Sequence, residues 1–361
     1  MKKILFLLIP LFLISCSFGE KDWESDNLAR EWDEELTDGV YVDFSLQEDY
    51  PENQIVYLMK NIKEQELPSE EELVKLKEDY FPEDSSAYIV EFWDDPTDPG
   101  RVLNTENGTT VIVGKGLKAG STEKYNFYSD FLFLETGEGM PVNVSGTEEL
   151  DFMKREELER QIREKLPVYL MDSFEIYEMD IRAYPVDYLE KLTNALEKSN
   201  YREFVSEEVF QHEWKKEDEI YKVHVIYKCG ELPVDDEGIY VEESYIPAIY
   251  AEFLFSPQGL INFNIQNSTD IQEEENIKIW SCNRALRESV KGKYENIIMA
   301  NSLCITEAIL QYDILPNADD GRQYLTPVWK FRTQVYAGKG MKNMIEEQFI
   351  HVNAVTGQVI G

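Results

Sequence analysis

The chain has 361 residues and a formal net charge of −36, with 71 acidic side chains against 35 basic ones. A field of that sign repels phosphate backbones and anionic headgroups, which excludes a nucleic-acid partner and a protein lying flat on an anionic bilayer. An apolar content of 43% excludes a disordered chain, and the length implies two or three domains or subdomains at roughly 100–200 residues each.

Lys2 and Lys3 precede an uncharged apolar run from Ile4 to Ile14. The run is too short to span a hydrocarbon core of ~30 Å as a helix, so it reads as the apolar part of a signal peptide. It ends in Leu13-Ile14-Ser15-Cys16, which resembles the bacterial lipobox. The resemblance implies cleavage after residue 15 and a lipidated Cys16 as the new N-terminus. Two or more acyl chains there form a stable anchor where one alone is marginal. The expected location is the extracytoplasmic face of the cell membrane. Residues 16–38 are acidic and aperiodic and read as a tether.

Residues 39–150 read as an N-terminal strand-rich region, in keeping with 21 Tyr and 18 Phe in the chain. Asn53–Gln65 is expected to be helical. Ser69 followed by Glu72 has the pattern of a capping box and starts a second helix that carries Leu73 and Leu76. Strands are expected at Ala87–Trp93, Thr109–Val113 and Tyr125–Glu135.

A first α+β unit is assigned to 151–269. Leu158, Ile162 and Leu166 recur at helical spacing, and Leu189, Leu192 and Leu196 mark a second helix after the strand Phe174–Ala183. In Glu219–Cys229, tyrosines and valines alternate with Lys222, His224, Ile226 and Lys228, the pattern of a half-buried strand. Tyr245–Phe255 and Leu260–Ile265 form a hairpin about Gly259. A second unit, 270–361, repeats this grammar: a helix over Ile279–Ile297, strands at Cys304–Leu315, Tyr324–Tyr336 and Gln348–Val355, and a turn at Thr356-Gly357. The expected fold class is therefore α+β, with tandem units of a helix packed on an antiparallel sheet.

Two segments carry a resemblance. They are Leu325-Thr326-Pro327-Val328-Trp329-Lys330-Phe331 and Phe349-Ile350-His351-Val352-Asn353-Ala354-Val355-Thr356-Gly357-Gln358-Val359-Ile360. A Pro-x-Trp strand before an Asn-Ala-x-Thr-Gly hairpin resembles the end of PepSY-like domains, and in particular the YycH/YycI-type extracytoplasmic proteins of Gram-positive bacteria. The overall pattern also resembles lipoproteins of gut Firmicutes. The resemblance implies a PepSY-like fold for both units and a role in modulating another cell-envelope protein. Proteins of the YycH/YycI type use a transmembrane anchor where this chain has Cys16.

Few residues suggest chemistry. Ser121-Thr122-Glu123-Lys124 matches S-x-x-K, but Ser25-Asp26-Asn27 precedes it and no K-T-G follows, so the serine-enzyme set is incomplete. His212, His224 and His351 lack metal-ligand spacing and read as surface or rim residues. Cys229, Cys282 and Cys304 read as small buried side chains, with Cys282–Cys304 as the one disulfide considered. Asn317, Asp319 and Asp320 could cradle Ca²⁺ but lack the EF-hand spacing, and an ordinary hairpin loop fits them as well. Tyr324, Trp329 and Tyr336 could form an aromatic platform, against a default of core packing. No cofactor is indicated. The reading that results is a non-enzymatic lipoprotein, held to the membrane through Cys16, that binds an extracytoplasmic protein. The alternatives are a lipoprotein that captures a peptide, glycan or cation, and a carboxylate-dependent hydrolase. Nothing in the sequence sets the oligomeric state.

Overall fold

The computed structural model describes residues 31–46, 50–59, 67–93, 99–114, 116–121, 127–128, 132, 149–165, 173–241, 244–266, 270–317, 321–339 and 341–360. Cys16, Asp319, Asp320 and most of the expected strand Tyr125–Glu135 lie outside them.

Among the described residues, strands dominate and build two large sheets. Sheet I has eight strands. Its main path runs Glu31–Thr37, Val40–Ser45, Ser302–Pro316, Gln323–Tyr336, Met344–Asn353 and Val359–Ile360. Asn53–Met59 joins it by pairing Tyr57 and Leu58 with Leu325 and Tyr324, and in turn pairs with Ile271–Lys278. Sheet II has nine strands, all antiparallel. Its path runs Leu232–Pro233, Ile220–Cys229, Tyr250–Ser256, Gly259–Gln266, Leu117–Ser121, Thr109–Val113, Gly100–Thr105 and Tyr88–Trp93, with Glu175–Tyr184 on the other side of Ile220–Cys229.

This architecture corrects the expected fold class. The chain is not a tandem pair of PepSY-like units with a helix packed on a sheet. Both sheets draw strands from widely separated parts of the sequence. Val40–Ile305 is the clearest case: Val40, Tyr41 and Val42 pair in parallel with Leu303, Cys304 and Ile305. Leu117–Ser121 likewise pairs with Gly259–Gln266. Alternation of apolar residues marks a strand but is silent about which distant edge it will join. Pairing with Gln323–Tyr336 and Ile271–Lys278 also makes Asn53–Met59 a strand where a helix was expected, and its Ile55, Val56 and Tyr57 suit that pleated environment. The tether also ends earlier than its composition suggests. Trp32 and Leu36 are buried, and Glu31–Thr37 forms a hairpin with Val40–Ser45.

Several local expectations hold. Ser69 caps the helix Glu70–Tyr80, and Glu72 returns the bond to the Ser69 backbone. Arg155–Lys165 buries Leu158 and Ile162, and Val186–Glu197 buries Leu189, Leu192 and Leu196. Cys282–Arg284, Ala285–Val290 and Lys291–Tyr294 run on as one helix with a wide π turn at its centre. The Asn353–Gly357 turn forms as expected. Asn353 Oδ1 accepts from the backbone N–H groups of Val355 and Thr356. Gly357 has φ 77°, and a Cβ there would fall 2.2 Å from the Trp280 ring. Cys229, Cys282 and Cys304 are buried free thiols.

One continuous apolar core contains residues of both sheets. A smaller cluster lies under Val186–Glu197, where Tyr184, Leu189 and Leu192 meet Trp214, Leu254 and Ile261. The sheets are also joined by backbone. Val234 bridges Tyr312, and the Asp235 N–H donates to the Tyr312 carbonyl at 2.8 Å. Asp235 is thereby fixed where sheet II meets sheet I.

Candidate functional site

A cleft of about 790 Å³ opens beside this junction and is lined by residues of both sheets. One wall is a face of sheet I. In Gln323–Tyr336 the pleat sends Lys330, Arg332 and Gln334 to the cleft and Trp329, Phe331 and Val335 to the core. The other wall includes Tyr177, Glu178 and Ile226 of sheet II. The floor is formed by Pro233, Val234, Asp236 and Glu237, on the segment that crosses between the sheets.

Lys330 is the unusual residue. It is 6% exposed and sits between Trp329 and Phe331 of its strand. A buried ammonium is costly unless paired. Lys330 Nζ lies 3.2 Å from Asp235 Oδ1 and 2.6 Å from Glu237 Oε2, and 4.3 Å from the centroid of the Phe349 ring. Burial alone would lower the Lys330 pKa, but Asp235 and Glu237 outweigh it and the net shift is upward. The Asp235 carboxyl is pushed up by burial and by the nearby Asp313, against the pull of Lys330. One ammonium thus serves two carboxylates, and Asp235 takes further bonds. Gln311 Nε2 donates to Asp235 Oδ1 at 3.0 Å and to Asp313 Oδ1 at 2.6 Å. His351 Nδ1 lies 2.8 Å from Asp313 Oδ2.

A second cluster ties the same floor to sheet II. His224 Nε2 is 2.9 Å from Asp236 Oδ2, and its Nδ1 is 3.9 Å from Glu252. The ring also lies against Tyr250, at 5.0 Å between centroids. Burial would lower the His224 pKa, but hydrogen bonds to Asp236 and Glu252, and their charge, carry it up to about 9. Asp235-Asp236-Glu237 is therefore a clasp: its first and third carboxylates hold Lys330 of sheet I, and its second holds His224 of sheet II.

The clasp carries a pH prediction. A group whose folded pKa is raised contributes fully below its unfolded value and loses that contribution as pH passes the folded value. For His224 the loss falls between its ordinary 6.5 and about 9. Urea unfolding from pH 6 to pH 10 should show stability falling by about 2–3 kcal/mol in that window. The difference from a His224→Gln variant isolates the effect from tyrosine and cysteine ionisation. Parallel curves for the two proteins would rule the clasp out as a titrating element.

The residues singled out in the sequence mostly lie elsewhere. Trp329 is 2% exposed on the core face, where its Nε1 donates to the Trp280 carbonyl at 2.8 Å. Tyr324 and Tyr336 are twelve residues apart on the opposite face, or about 40 Å along a strand. The three do not gather into a platform. Asn317 sits in an ordinary hairpin, where its N–H donates to Arg322 and its carbonyl accepts from Gly321. Among the described residues no cluster of three or more His, Cys, Asp or Glu is arranged to hold a metal. Ser121 ends a strand of sheet II, and 122–124 lie outside the described residues. His224 is on the face opposite the tyrosines and valines, as the alternation required. His351 is not a rim residue. It is 9% exposed and bonded to Asp313.

The sequence reading missed Asp235, Asp236, Glu237 and Lys330. A signal existed. A lysine inside Leu325–Phe331 stands among apolar neighbours, and a buried cation demands a carboxylate from somewhere else in the chain.

No protein-family model matches the chain, and no curated protein sequence matches it. Among solved structures it is similar to an uncharacterized protein from Eubacterium rectale ATCC 33656. The TM-score is 0.57 at 10% identity, over 91% of this chain and 92% of that one. The likeness extends to the fold of nearly the whole chain and concerns the fold alone. Among the described residues no helix is long and apolar enough to cross a membrane.

Proposed function

We propose that the chain is a ligand-capturing protein whose binding site is the cleft between the two sheets. The observation that carries this reading is the lining itself. A recess of about 790 Å³ sets the aromatic side chains of Phe44, Tyr50, Tyr177 and Phe349 among charged and amide side chains drawn from both sheets and the segment between them, a concave arrangement that can surround a small ligand. The test is calorimetry of the full chain against a panel of tripeptides, oligosaccharides and polyamines. At least one class should bind saturably, and Ser45→Trp, which fills the mouth from an exposed position, should abolish it without lowering the melting temperature. Silence across the panel would sink the reading.

A second reading rests on the outer strand of sheet II. In Tyr88–Trp93 the side chains of Tyr88, Ile89 and Phe92 are all exposed, Ile89 by 68%. An apolar strand at a sheet edge suits pairing with an extended segment of another protein. Both readings place the folded part on a lipid at Cys16, outside the cell membrane. Crosslinking in intact cells and pull-down, with Cys16→Ala as control, tests partner and anchor together. The variant should leave the membrane fraction, and capture no greater than the control's would remove the partner.

A further inference from the structure

The chemistry of the cleft narrows what it can hold, given that it is a ligand site. Among the described residues, both cations on its lining are already committed. Lys330 serves Asp235 and Glu237, and Arg332 lies 3.1 Å from Glu307 and 3.9 Å from Glu347. Both also stand over the Phe349 ring, at 4.3 and 5.8 Å. Against these two cations the lining sets five carboxylates: Glu178, Asp236, Glu237, Glu307 and Glu347. His224 answers Asp236. Glu178 and Glu237 remain exposed, one on the sheet II wall of the recess and one on the crossing segment.

The strong donors are therefore spent, and what is left is acceptor capacity, negative charge and aromatic surface. An anionic guest would meet carboxylates on every side. A neutral guest would leave their surplus charge uncompensated in a partly desolvated recess. A protonated amine satisfies both features at once, because carboxylates accept its N–H groups strongly and aromatic faces attract its charge. We propose that the ligand is a small organic cation bearing one or more primary ammonium groups, received by Glu178 and Glu237 beside the ring of Tyr177. An ammonium at Glu237 would share that carboxylate with Lys330, so the guest would be read by the same residue that closes the clasp.

This proposal rests on the capture reading, and matched probes separate the two. The first pair is the glucosamine trisaccharide and its fully N-acetylated form, which share a skeleton and differ in charge. The second is trilysine and its fully acetylated form. Each is titrated calorimetrically into the full chain at low and moderate salt. The charged member of at least one pair should bind about tenfold or more tighter than its neutral partner, an advantage that shrinks as salt rises. The Glu178→Gln/Glu237→Gln variant should erase the advantage while it still unfolds in one cooperative transition, since Lys330 keeps Asp235. Equal binding of charged and acetylated forms would overturn the ammonium proposal and leave capture standing. So would an advantage that survives the double variant. No binding of either charged probe, with another panel member still bound, overturns the ammonium alone. No binding by anything overturns both.

Discussion

Replacing Lys330 with Met should destabilise the fold by about 3–5 kcal/mol, the usual loss when one partner of a buried ion pair is removed. The side chain of Asp235 is 5% exposed and cannot recover water when its cation goes. Gln311 and the Gly238 N–H still donate to Asp235, but neither carries charge. The double variant Lys330→Met/Asp235→Asn removes the stranded charge as well, and it should recover a substantial part of the loss. Urea denaturation of the two single variants and the double closes the cycle. A single variant within about 0.5 kcal/mol of the parent, the range of an ordinary surface change, would show that the pair does not hold the sheets together.

Trp329→Ala should cost a similar amount, about 3–5 kcal/mol, through a different cause. The indole is fully enclosed between Phe331, stacked at 6.4 Å, and Tyr50, met edge-on at 5.2 Å. Truncation opens a cavity in the core of sheet I and leaves the Trp280 carbonyl without its donor. Trp329→Phe keeps most of the volume and loses the hydrogen bond, so it should retain most of the stability. The pair of variants also decides the role of Trp329. As a ligand platform it would alter binding with little change in unfolding; as a core residue it alters unfolding first.

These two neighbours show how much could be read in advance. Trp329 and Lys330 are adjacent in sequence and face opposite ways, because a strand alternates its side chains. The strand itself was legible from Pro327 to Phe331, as were the capped helix at Ser69, the alternation around His224 and the turn at Gly357. All of these depend on residues within one element. The clasp was not legible. Asp235 and Lys330 are separated by 95 positions, and they meet where Val234 and Asp235 join the strand of Gln311 and Tyr312. The overall architecture failed for the same reason. A hairpin can be recognised from its turn, but nothing local in Val40–Ser45 announces a parallel neighbour at Leu303. The tandem resemblance between the Gly259 and Gly357 segments reflects two similar hairpins, one in each sheet.

The parallel pairing of Val40–Val42 with Leu303–Ile305 also governs the order in which the molecule can assemble. During synthesis the amino-terminal hairpin emerges first, and its sheet partner follows only after some 260 further residues. Sheet I therefore cannot close until the chain is almost finished, and Asn53–Met59 waits equally long for Gln323–Tyr336. Contacts of such high sequence separation slow folding, because loop-closure entropy is lost before any pairing is gained. Apolar strand edges stay uncovered for that interval and are open to wrong partners. Cutting the chain at 38/39, 150/151 or 269/270 would separate strands from their sheet partners on both sides.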